Sequence, residues 1–135
     1  MKPNNYLPIK CANRSSFFRA WVEMMATSHK LAARQMDVFA RVLEQDYIFE
    51  QKVKDPDVAL ELLWTNSSRK DMRESLGMSQ PHFNLALTEL RRAGVLIGDD
   101  DKINPKYKPH LTEDPRFGLF VLFDWSSPSN PSIGG

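Results

Sequence analysis

Residues 67–105 read SSRKDMRESLGMSQPHFNLALTELRRAGVLIGDDDKINP, and the placement of caps, glycines and apolar residues in this stretch decides the fold. Ser67 or Ser68 can cap the free backbone N–H groups of a first helix, and Asp71 sits near its positive end. Met72 and Leu76 fall four residues apart on one face. Gly77 follows where the helix must stop, because glycine enters the left-handed conformation without a clash from Cβ. Ser79 is the N-cap of a second helix, and Pro81 is tolerated in its first turn, where the N–H groups are unpaired in any case. Phe83, Ala86, Leu87 and Leu90 then form an apolar stripe, and Gly94 ends the helix.

Met72, Leu76, Met78, Phe83 and Ala86 place apolar side chains on both sides of Gly77, so the two short helices are expected to pack steeply as a helix-turn-helix. Arg73 stands where such a crossing usually takes a small residue. After Gly94, residues 95–97, the turn-forming GDDD at 98–101 and residues 102–104 read as a hairpin. A hairpin directly after the second helix makes the unit a winged helix. Residues 71–107 resemble the winged-helix domains of phage- and plasmid-encoded replication initiators and small transcription regulators. The resemblance rests on the helix, the turn, the LxxLxxxGVL pattern at 87–96 and the Ile103-Asn104-Pro105 ending, and it covers about a quarter of the chain. It implies double-stranded DNA binding in replication or transcription control, although winged helices also serve as protein-interaction modules.

Upstream, residues 1–10 contain two prolines and read as an arm, with a short edge strand over 6–9. Asn13, Ser15 or Ser16 can cap a helix whose apolar residues are Phe17, Phe18, Trp21, Val22, Met24 and Met25. A polar break at 27–30 leads to a long helix over 31–53. Ala32, Met36, Phe39, Leu43 and Tyr47 mark its core face, widened by Val38, Val42 and Phe49. Arg34, Asp37, Arg41, Glu44 and Glu50 read as its solvated face. Asp55 and Pro56 start a short helix over 57–64, from which Val58, Leu60, Leu62, Leu63 and Trp64 are expected to close the core. Downstream, the apolar strand over 117–125 is expected to pair with the wing and to be covered by the N-terminal helices or another subunit. The composition of 126–135 reads as a flexible tail. The chain thus divides into an arm and helix over 1–30, a winged-helix domain over 31–125 and a tail. The expected fold class is mainly α, with a helical N-terminal extension and one small antiparallel sheet.

A chain of 135 residues, 41% hydrophobic and 26% charged, is long enough for one domain with a true core and is not disordered in composition. The net charge is only +1, so its distribution matters more than its sum. Residues 1–31 carry +4, residues 32–64 carry −3, the helix pair over 65–94 carries +2, and the wing and tail segments carry −1 each. A single cysteine, Cys11, excludes an internal disulfide and agrees with a reducing compartment. No apolar run approaches the length of a membrane span. The expected location is the cytoplasm, that of the host if the gene is phage-borne, with association to a virion as the other possibility.

The signatures of catalysis are missing. His29, His82 and His110 are far apart in sequence and belong to no metal pattern, there is no glycine-rich phosphate loop, and there is no nucleophile elbow. No enzyme activity, cofactor or metal is expected. For DNA, the second helix would present Ser79, Gln80, His82, Asn84 and Thr88 to base edges, with Pro81 and Leu85 beside them. Gln80 and Asn84 share one face, read here as opposite Phe83, Leu87 and Leu90, and each can make the paired contact that adenine offers. Arg69, Lys70 and Arg73 on the first helix, with Arg91 and Arg92 at the end of the second, are placed for phosphates. Three carboxylates at the wing tip oppose this reading. The alternative is a non-enzymatic structural or protein-interaction winged helix, such as a phage particle component. The aromatic N-terminal helix is expected to pack on the domain core, with a homodimer or docking on a larger assembly as the other reading.

Overall fold

The computed structural model describes residues 13–25 and 30–109, together with the backbone of two strands at 6–9 and 119–122. In chain order the elements are β1 (Tyr6–Ile9), α1 (Arg14–Met25), α2 (Ala33–Lys52), α3 (Pro56–Leu63), α4 (Asn66–Ser75), α5 (Gln80–Arg92), β2 (Leu96–Ile97), β3 (Lys102–Ile103), a 3-10 turn (Pro105–Tyr107) and β4 (Leu119–Leu122). The chain is mainly helical. α2 touches each of the other four helices, because its Val38, Phe39, Val42 and Leu43 are buried on successive turns. α1 lays Phe17, Phe18 and Val22 on it, and α5 adds Phe83, Ala86, Leu87 and Leu90. Leu63 and Met72, both at 0% exposure, complete the core between α3 and α4.

The expected caps hold for three of the helices. Asn13 accepts the Ser16 N–H at 2.9 Å, Asp55 accepts the Asp57 N–H ahead of Pro56, and Ser79 accepts the His82 N–H. α4 differs. Its cap is Thr65, whose Oγ1 accepts the Ser68 N–H at 3.2 Å, and the helix begins at Asn66 rather than after Ser67 or Ser68. Ser68 lies inside the helix and is only 2% exposed, its Oγ accepting a bond of 3.0 Å from Gln45 of α2. A serine taken up in a helix–helix bond is not free to cap.

α4 and α5 end alike. Gly77 and Gly94 have φ of +66° and +80°, and the residue after each donates back to the last turn, Met78 to Arg73 at 2.8 Å and Val95 to Leu90 at 3.1 Å. A Cβ added to Gly77 would meet nothing within 4 Å, so a substitution there is penalised by backbone conformation alone. Gly77→Ala is therefore expected to cost about 1–2 kcal/mol in a urea melt, and Gly77→Asn less, since asparagine tolerates this conformation better. Equal stability of the alanine variant would show that the turn relaxes.

Two further expectations are corrected. The face of α2 read as solvated is half covered by α1: Glu44 is 6% exposed and accepts from Arg14 at 2.9 Å and from Ser15, while Arg19 pairs with Asp37 at 2.7 Å. Of the residues expected to close the core from α3, Val58 is 39% exposed and Ala59 is buried instead. The sheet also differs. β4 pairs antiparallel with β1, with Leu7 opposite Val121, and β2 pairs with β3, with Leu96 opposite Ile103, in two separate two-stranded sheets. After β3 the chain turns off at Asn104, which caps the 3-10 turn, and is held against α1 and α2. Trp21 donates to the Tyr107 carbonyl at 2.8 Å, and Lys108 reaches Asp46 and Glu50 at 3.0 and 3.1 Å. The tail at 126–135, Cys11, His29 and His110 lie outside the described residues.

Candidate nucleic-acid interface

α4 and α5 meet at the turn around Gly77 and diverge from it, leaving a recess of about 310 Å³ between them. Asn66, Arg69, Lys70 and Arg73 line it from α4, and Gln80, Phe83 and Asn84 from α5. Three cations and three amides thus surround a recess whose lining includes no carboxylate. Phe83, 1% exposed, belongs to the core and to this lining at once, while Gln80 and Asn84 are exposed. Five of the ten residues expected to contact DNA are brought together here.

The orientation of Arg69 is set in advance. Its Nε donates to the Trp64 carbonyl at 3.1 Å, and its guanidinium lies 5.0 Å from the centre of the Trp64 ring. Lys70 is exposed and Arg73 half-buried, and neither forms an ion pair among the described residues. Gln80 and Asn84 stand beside the core stripe on the α4 side, not opposite it. At 100° per residue the outermost line of α5 falls instead on Pro81, Leu85, Thr88 and Arg92. The i, i+4 relation between the two amides holds; the face they share is the flank that meets the cations.

The other five expected contacts are placed differently. Ser79 uses its hydroxyl as the α5 cap, and Thr88 turns its own back to the Asn84 carbonyl at 3.1 Å. His82 lies on the far flank, in a second groove with Leu85 and Ala86. Arg92 pairs with Glu89 at 2.8 Å. Arg91 forms a two-pronged pair with Asp101, Nε to Oδ1 at 2.6 Å and Nη2 to Oδ2 at 2.8 Å, and this hydrogen bonding raises its pKa above the ordinary arginine value. The same pair neutralises one of the three carboxylates at the hairpin tip, leaving Asp99 and Asp100 exposed.

Two residues have a part in this arrangement that the sequence reading does not assign: Asn66 is not named there, and Trp64 is named only as a core residue. Asn66 joins the recess because α4 begins a turn earlier than Ser67 or Ser68 suggests. Trp64 stacks under Arg69, and its Nε1 donates to the Asp101 carbonyl at 3.0 Å, so it ties the start of α4 to the hairpin tip. Thr65 three residues before Ser68 was the signal for the first, and an aromatic residue five positions before an arginine at a helix start was the signal for the second.

Among the described residues no three His, Cys, Asp or Glu side chains are grouped to hold a metal ion, and no helix is long and apolar enough to cross a membrane. No family model matches the chain, and neither a curated protein nor a solved structure is significantly similar to it.

Proposed function

We propose that this chain is a sequence-reading, double-stranded DNA-binding protein, in which α3, α4, α5 and the β2–β3 hairpin act as a winged helix in replication or transcription control. The observation that carries the reading is the recess. Arg69, Lys70 and Arg73 supply charge for phosphates on α4, and one turn of α5 places Gln80 and Asn84 beside them with amides that match the adenine edge. Cations and amides gathered around one recess whose lining holds no carboxylate suit a duplex.

Asn84 gives the sharpest test, because it is exposed and contributes little to the fold. Asn84→Ala is expected to cost about 1–3 kcal/mol at one base pair of the preferred site and to leave the melting temperature unchanged. Selection from random duplexes with both proteins measures this. Enrichment of the same sequence by both would remove Asn84 from base reading, and failure of both to enrich any sequence or to retain duplex at low salt would remove the DNA reading itself. The second reading is a non-enzymatic structural or protein-interaction winged helix, such as a particle component. It draws on Arg91 and Arg92 being paired within the chain and on Leu85, 59% exposed on α5.

A further inference from the structure

The groove on the far flank of α5 has the form of a self-complementary contact. It encloses about 570 Å³ between the start of α2 and α5, with Ala32, Met78 and Ala86 forming an apolar hollow. Leu85 stands at its rim, 59% exposed, the most exposed of the large apolar side chains among the described residues. A projecting leucine beside an apolar hollow on the same face is what a twofold contact uses, since each copy offers the knob and the hole together. The walls also carry opposite charges. Arg34, on the α2 side, is exposed and joins no ion pair among the described residues, whereas Glu89, on the α5 side, pairs through Oε1 with Arg92 of its own helix and keeps Oε2 for a group across the groove.

We propose that this groove is a surface for a second copy of the chain, with Leu85 of each copy seated in the hollow of the other and Arg34 of each facing Glu89 of the other. The charge pattern selects this occupant: a twofold axis turns one Arg34–Glu89 pair of walls into two crossed attractive pairs. The groove shares no lining residue with the recess between α4 and α5. The inference is therefore independent of the DNA reading.

Sedimentation velocity over a range of concentrations tests it on the full chain. The unmodified protein is expected to move from 15.5 kDa towards twice that mass as concentration rises. Leu85→Ser should weaken the association about tenfold or more, because an exposed leucine is no longer buried on pairing. Arg34→Glu and Glu89→Arg should each weaken it too, since each sets like charges across the axis. An equimolar mixture of the two single variants should associate again, because one chain then carries acid at both positions and the other base at both. Recovery on mixing cannot come from repair within either chain. A monomer at every soluble concentration, a pairing indifferent to Leu85→Ser, or a mixture that does not recover would each overturn the proposal. Circular dichroism melts of the variants confirm that each is folded.

Discussion

Replacing Lys70 and Arg73 together by glutamine is expected to flatten the salt dependence of duplex binding, lowering the slope of log K against log salt by about 1.8. Each phosphate neutralised by a side chain releases close to one condensed counterion, and these two cations are uncommitted within the described structure. At about 0.1 M salt such a change corresponds to a loss of roughly 60-fold in affinity, and the loss should be the same for every sequence. Arg69 serves the fold as well as the charge. It stacks on Trp64 and donates to its carbonyl, so its removal would disturb the start of α4 as well as the charge. Electrophoretic titration at several salt concentrations reads the slope directly. An unchanged slope would take α4 away from the phosphates, whatever happened to the affinity.

The largest expected effect on stability comes from Phe83→Ala, at about 3–5 kcal/mol. Phe83 is 1% exposed at the junction of α5 with the core, and it also lines the recess. Truncation removes the burial of the ring and leaves a cavity that two anchored helix ends cannot easily close. A domain of this size has about 5–15 kcal/mol in total, so the variant should unfold at a much lower urea concentration with an unchanged m-value. A loss below about 1 kcal/mol would show that α4 and α5 can slide together, and that the turn at Gly77 does not fix their spacing.

The parts of this fold legible in the sequence were those set by local chemistry. Asn13, Asp55, Ser79, Gly77 and Gly94 act where they stand, because caps and left-handed turns depend on neighbours within a few residues. The stripes of α2 and α5 were legible for the same reason, as periodicity is a local pattern. What could not be read depended on which element lies across from which. Glu44 resembles any surface glutamate until α1 covers it with Arg14 and Ser15. Ser68 resembles a cap until Gln45 of α2 claims it. β4 pairs with β1 rather than with the strand nearest to it in sequence, and no local pattern signals that choice. Within the candidate site, the residue types on α4 and α5 were readable, while the internal engagement of Arg91 by a carboxylate ten positions away was not.

Strands of two residues, like β2 and β3, hold a hairpin only weakly by themselves. Here the tip is fastened at two points outside the ladder, by Arg91 on the Asp101 carboxylate and by Trp64 on the Asp101 carbonyl. The ordering of the tip is thus completed during folding rather than at association. Freezing a mobile side chain at an interface ordinarily costs about 0.5–1.5 kcal/mol, and a partner that meets this hairpin encounters a preorganised surface on which that cost has already been met.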